Sequence, residues 1–393
     1  MGHHHGLSGA HGELAARLQR GPSAMPEPHD PHHRAAWREI MEILFSADDA
    51  ALAARLPVVP THLEALASRL RVEPEALRPR LEAMADGGLV LDLADPRDDG
   101  RTLYMLAPPV MGFFEFSMMR LDDGLPKERL ARAYEAYQHG DTALHEEVSA
   151  ATVIGRTLVH ESAAGDDLLS EVLDWERASA CLESASAVAV TNCFCRHTAA
   201  QLERRCEYPM EACLSLNRGA DYLVRHGFAR AISREEGSEI LAMVRELGMV
   251  HIADNVRREI TYICNCCPCC CTLLRGRTEL NHPHAFAPSR FTATVNETDC
   301  TGCGICAEER CPVGAAEMIE GIAKVTAEKC IGCGLCISGC PVSAIELRDR
   351  INSEETPKSY QELSMKVLSE KGKLEAFMKN CTCTPNRRQS AKP

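Results

Sequence analysis

Apolar positions first recur at helical spacing at Trp37, Ile40, Met41, Leu44 and Phe45, three and four apart, as one buried stripe of a helix requires. A second stripe, Leu63, Leu66, Ala67 and Leu70, follows Thr61, which is positioned as its cap. A third helix opens at Pro74 and runs to about Asp86, where Gly87-Gly88 stops it. Leu89-Val90-Leu91-Asp92-Leu93 and residues 102–106 then read as two strands joined by the polar loop 95–100. Helix, helix-turn-helix and hairpin in that order predict a winged-helix-like domain over residues 35–110. Residues 1–34, rich in Gly, His, Pro and Ala and carrying His3-His4-His5, predict a mobile segment.

The pattern beyond is mostly helical. Residues 112–120 (Gly-Phe-Phe-Glu-Phe-Ser-Met-Met-Arg) concentrate aromatic and methionine side chains, which suits packing between neighbouring domains. Helical spacing continues over 125–138 and 167–182, and a strand-like run, Glu259-Ile260-Thr261-Tyr262-Ile263, precedes a dense group of cysteines. The expected fold is α+β. It comprises the winged-helix-like domain, a mainly helical middle domain with Cys-rich metal sites over 111–288, a cysteine-repeat domain over 289–350, and a helical tail over 351–393. The tail carries an amphipathic helix over 360–377 and ends in Cys381-Thr382-Cys383.

Composition narrows the function classes. The 393 residues are 45% hydrophobic, enough for two or three cored domains. The formal net charge of −13 argues against nucleic acid as a partner and favours a basic protein surface. The would-be recognition helix offers Glu75, Arg78, Arg80 and Glu82, and the wing loop Asp95, Arg97, Asp98, Asp99 and Arg101, without the cationic excess that phosphate contacts need. No apolar run reaches the length of a membrane span. The 21 cysteines are absent from the first 180 residues and bunched in ligand-like runs with no secretory leader before them, so they read as thiolates in a reducing, cytoplasmic compartment.

Two copies of one spelling dominate the C-terminal third: Cys300, Cys303, Cys306 and Cys311-Pro312, then Cys330, Cys333, Cys336 and Cys340-Pro341. A C-x2-C-x2-C loop wraps three thiolates around one cubane, and Gly302, Gly304, Gly332 and Gly334 let the backbone take positive φ there. Each proline pre-sets the first residue of an expected helix. Residues 291–350 resemble a bacterial two-cluster ferredoxin domain. The resemblance implies one [4Fe–4S] cluster on Cys300, Cys303, Cys306 and Cys340 and another on Cys330, Cys333, Cys336 and Cys311. One departure is a spacer of four residues, Ala307 to Arg310, where that family has three. From residue 296 to 350 nine acidic side chains face five basic ones, which lowers cluster potentials.

Two further runs call for metal. Cys193-Phe194-Cys195-Arg196-His197, with Cys206 and Cys213, supplies four thiols for a third cluster or a zinc ion. Arg196 and His197 are candidate hydrogen-bond donors to it, and His197 a candidate ligand. Cys264, Cys266, Cys267, Cys269, Cys270 and Cys271 exceed the need of one cubane. Alternation puts Cys264 and Cys266 on one side, and a turn at Pro268 returns Cys269 or Cys271 towards them, giving a fourth cluster that thiols of the 193–213 group could help to assemble. Persulfide or disulfide chemistry at the adjacent pairs is the alternative.

Together, the 112–120 segment, Asn192-Cys193-Phe194-Cys195-Arg196-His197 and the CNCCPCCC run resemble a bacterial group described only as 4Fe–4S-binding proteins. The expectation is an iron–sulfur electron-transfer protein serving a redox partner protein, with two [4Fe–4S] clusters and one or two further Fe–S clusters or zinc. A redox-sensing transcription regulator, or an oxidoreductase with its substrate at the middle cysteines, are the alternatives.

Overall fold

The computed structural model describes residues 7, 9–98, 100–149, 152–161, 174–351 and 354–381. His3-His4-His5, the 167–173 part of the expected helix and the Cys381-Thr382-Cys383 side chains lie outside them. The chain is α+β, with the helices and strands of three packed units.

The first unit begins earlier than its periodicity suggests. Helix Gly9–Leu18 buries Leu14, Ala15 and Leu18 in the same core as Trp37 and Phe45, so residues 9–34 are not a loose arm. Its stripe is too short to register as a pattern. Asp30 accepts from the His32 N–H and caps helix Pro31–Leu44, and Ser46 caps helix Ala47–Ala53, whose alanines carry no clear period. Thr61 caps nothing. It and His62 form β1 (Thr61–His62), which pairs with β3 (Thr102–Leu106), and β3 pairs with β2 (Val90–Ala94) in the order β1-β3-β2. Helices Leu63–Leu70 and Pro74–Asp86 pack against this sheet through Leu66, Leu70, Leu77 and Leu81.

The aromatic segment is the seam to the second unit. A kink over Pro109–Phe113, with Met111 at φ 55°, leads into helix Phe114–Met119. Phe113 meets Phe45 edge-on at 5.4 Å, Phe114 meets Tyr134 at 5.1 Å, and Phe116 reaches Tyr222 and Phe228 at 5.6 Å.

The middle unit carries more helix than strand, as its pattern predicts, but the helices do not frame it. Its frame is a six-stranded antiparallel sheet in the order β4-β8-β9-β6-β5-β7: β4 (Gly155–Thr157), β5 (Val188–Asn192), β6 (Glu211–Leu216), β7 (Arg230–Ala231), β8 (Val250–Asp254) and β9 (Tyr262–Cys266). These strands are short, and the central ones are buried on both faces, so period-two alternation is lost and the helical stretches dominate the pattern. Helix Tyr360–Glu370 of the tail lays Leu363 and Val367 on this sheet beside Val256, Ile260 and Ile263. The expected single helix over 360–377 is broken at Gly372, φ 63°, and resumes at Leu374–Cys381.

In the third unit β10 (Phe291–Val295) pairs with β13 (Ile345–Asp349), and β11 (Ala316–Ile319) with β12 (Ile322–Val325). The helices expected after Pro312 and Pro341 do not form. Gly314 and Ser343 take left-handed φ of 59° and 51°, turning each chain straight into a strand. The helical turns precede the fourth cysteines instead. In the second copy this turn is Leu335–Ser338; in the first, the extra spacer residue is absorbed by a wider π-type turn, Cys306–Arg310.

Candidate metal centres

In the C-terminal unit the cysteine loops fold back on a small apolar core of Phe291, Ala293, Ala315, Ala323, Ile345 and Leu347. Gly302, Gly304, Gly332 and Gly334 all have φ between 68° and 82°. A side chain at Gly332 would collide with the Ser289 hydroxyl and the Phe291 carbonyl, so the loop closes only over glycine. Cys306 has Cys303, Cys300 and Cys340 as its neighbouring thiols. Cys333 and Cys336 both face Cys330 and Cys311, and these four thiols line one pocket with Val313, Ile331 and Ala293. Burial pushes the Cys333 thiol up to about 12. Such thiols would ionise only against a cation, which the donor set suits. The Ala315 N–H donates to Cys311 Sγ at 3.1 Å and the Ala344 N–H to Cys340 Sγ at 3.3 Å, the same bond in both copies; Gly332 N–H donates to Cys330 Sγ at 3.4 Å.

The middle cysteines do not sort by sequence run. Cys193 contacts Cys195 and Cys213, Cys213 contacts Cys264, Cys264 contacts Cys266, and Cys266 and Cys195 both contact Cys271, which closes a ring of six thiols. The sheet builds it. A bulge at Thr191/Asn192 ends β5 so that Cys193 stands at the N-terminal boundary of helix Phe194–Gln201, with Cys195 in its first turn. Cys213 lies on β6, Cys264 and Cys266 share one face of β9, and Cys271 stands at the N-terminal boundary of helix Thr272–Thr278. Within the ring, the neighbouring Cys213 and Cys266 thiols draw Cys264 down to about 6, and Cys195 and Cys266 hold Cys271 well below the usual thiol range.

Cys206, expected with Cys193, Cys195 and Cys213, instead joins Cys267, Cys269 and Cys270 in a separate quartet. Of the thiols that follow Pro268, Cys271 returns to the ring and Cys269 does not. His197 is no ligand: its Nδ1 is 2.7 Å from the Met118 carbonyl oxygen and its Nε2 is 3.2 Å from the Gln201 amide nitrogen. Arg196 is fully buried between ring and quartet, donating from Nη1 to the Asn265 carbonyl at 3.0 Å and to Cys267 Sγ at 3.8 Å.

Asn265, His251 and His160 escaped the sequence pattern. Asn265, between two ring cysteines, donates from Nδ2 to the Ala212 carbonyl at 2.5 Å and meets His251 Nδ1 through Oδ1 at 2.6 Å. An asparagine inside an otherwise apolar, cysteine-bearing strand was the available signal. Across the domain boundary Cys264, Cys266 and Cys271 pack in one apolar cluster with Ile331, Cys333 and Leu335.

Residues 292–349 match the family model of the 4Fe-4S dicluster domain. The C-terminal unit is therefore an iron–sulfur domain. Over 54 residues the chain is 48% identical to a subunit of the ion-translocating oxidoreductase complex of Methanosarcina acetivorans; the match covers 14% of this chain and 20% of that relative. No solved structure matches the chain. Among the described residues no helix is long and apolar enough to cross a membrane.

Proposed function

We propose that the protein is an iron–sulfur electron-transfer component. Its C-terminal domain would exchange single electrons with a metal–sulfur centre held by the six-thiol ring, on behalf of a redox partner protein in the cytoplasm. The observation that carries this reading is the apolar cluster shared by Cys264, Cys266 and Cys271 of the ring with Cys333 of the dicluster domain. A redox relay needs that proximity and exclusion of water; a purely structural cysteine site does not.

Cys300, Cys303, Cys306 and Cys340 would hold one [4Fe–4S] cluster, and Cys330, Cys333, Cys336 and Cys311 the other. Clusters bound there supply one-electron chemistry at potentials within about −700 to +450 mV. The chain sets where in that span they fall. The N–H groups of Ala315, Ala344 and Gly332 stabilise added negative charge on sulfur, whereas the acidic excess of residues 296–350 opposes it.

The winged-helix-like unit fits a docking role better than DNA binding. Arg101 is taken up by Glu64 at 2.7 Å and Asp98 at 3.0 Å, and Arg80 donates to the Asp48 carbonyl, so two of its cations are engaged within the unit. The complex named for the relative is consistent with a protein partner for this chain.

Iron and sulfide analysis of anaerobically purified protein tests the reading. The C-terminal pair alone accounts for about 8 irons per chain, and more is expected. Colourless, zinc-loaded protein that dithionite leaves unchanged would overturn it.

A further inference from the structure

The quartet of thiols apart from the ring has a spacing that decides what it can hold. Cys206 Sγ lies 3.7 Å from Cys267 Sγ and 3.6 Å from Cys270 Sγ, and Cys270 Sγ lies 3.9 Å from Cys269 Sγ. All four sulfurs are within 4.8 Å of one another. A single tetrahedral ion with metal–sulfur bonds of about 2.3 Å sets its ligands about 3.8 Å apart. The thiolates of a four-iron cube radiate outward from its corners and stand roughly 6 Å apart. The quartet is therefore too tight for a cube and matches one ion.

Arg196 lies between the two groups, with Cys193 and Cys213 of the ring and Cys267 of the quartet as its thiol neighbours, and it favours an anionic centre beside it. Its guanidinium is fully buried against Cys267, and its Nε and Nη2 have no hydrogen-bond partner. A buried cation left so is costly unless anions face it. Four thiolates around a dication carry a double negative charge, which meets that requirement; four neutral thiols do not.

The four ligands come from two places. Cys206 belongs to the connection between helix Phe194–Gln201 and β6, while Cys267, Cys269 and Cys270 belong to the turn around Pro268 that follows β9. The ring thiols flank both places: Cys193, Cys195 and Cys213 come from the elements on either side of that connection, and Cys264, Cys266 and Cys271 from those on either side of that turn.

We propose that Cys206, Cys267, Cys269 and Cys270 bind one tetrahedral thiophilic ion, zinc or iron, separate from the ring, and that this ion staples together the two chain segments from which the ring is built. With every coordination position filled by protein sulfur, it is a closed, structural site.

Metal analysis and X-ray absorption of anaerobically prepared full-length wild type, Cys206→Ser and Cys269→Ser test this. Each variant is expected to lose one ion per chain, with acid-labile sulfide and the EPR signals of the dicluster domain unchanged. The wild-type spectrum at the edge of the lost metal, zinc or iron, identifies the ion. Loss of about four irons with their sulfide, or an unchanged metal content, would overturn the proposal. A second readout does not depend on how the variants fold: wild type loaded with cobalt(II) is expected to show tetrahedral tetrathiolate absorption, and its absence would also overturn the site. Loss of the ring centre alone, in Cys264→Ser, would leave this ion in place, so failure here and failure of the electron-transfer reading are distinguishable.

Discussion

The rings of His160 and His251 stack with centroids 4.2 Å apart and bridge the dicluster domain to the six-thiol ring. The His160 backbone N–H donates to the Cys333 carbonyl at 2.9 Å, and the His251 ring meets Asn265, between Cys264 and Cys266. Burial drives both imidazoles below their usual range, His251 to about 4, so the stack is neutral at physiological pH.

His251→Ala removes the stacking partner and the contact to the Asn265 amide. Leaving a buried polar group unpartnered costs about 1–3 kcal/mol. Hydrogen exchange is expected to rise in β9 and around residues 330–334, and to stay unchanged in the β11–β12 hairpin.

Gly332→Ala and Gly314→Ala place the same methyl group on left-handed backbone with opposite surroundings. At Gly332 it meets Ser289 and Phe291; at Gly314 it meets open space. Iron content is expected to fall by about four per chain in Gly332→Ala, the share of one cubane. Gly314→Ala is expected to retain its iron, at a cost of about 1–2 kcal/mol in thermal stability.

Arg196→Met keeps much of the side-chain length and removes the charge. With nothing cationic beside Cys267, metal affinity at the quartet is expected to drop roughly 10–100-fold, as for other residues that support metal ligands. Competition with a chromophoric chelator measures it, and unchanged affinity would exclude the role given to Arg196.

Asp254 contributes one pH dependence of stability, alongside Glu115, whose carboxyl burial raises to about 7. Desolvation raises the Asp254 carboxyl from 3.8 to about 6, against the hydrogen bonds it accepts from Tyr360 and Thr261. A raised pKa means the folded state holds the proton more tightly than the unfolded one. Its contribution to stability is present below pH 4 and is lost as pH rises through 6, leaving a penalty of about 3 kcal/mol at neutral pH. Asp254→Asn is expected to gain stability over wild type at pH 7.5 compared with pH 5, read as the difference in unfolding midpoints. An equal difference at both values would contradict this.

The dicluster loops were legible because each is local: three thiolates, two glycines and a proline within a dozen residues specify one turn. Even the extra residue at Ala307–Arg310 showed in the sequence, though not the π-type turn that absorbs it. The ring and the quartet were legible as cysteines but not as groups. Their membership depends on which strands become neighbours, and β6 lies beside β9 through a pairing some fifty residues apart that no periodicity encodes. The alternation of Cys264 and Cys266 and the turn at Pro268 that returns Cys271 were the correct local clues. His160 and His251 carried none, since lone histidines on short strands are ordinary core residues until their stacking is seen.

An EPR-monitored redox titration of anaerobically prepared wild type and Cys264→Ser tests the central claim most directly. The account predicts, in wild type, the two clusters of the dicluster domain and at least one further redox-active centre, with only the further centre lost in Cys264→Ser. Two centres in wild type, with the same titration in the variant, would contradict it.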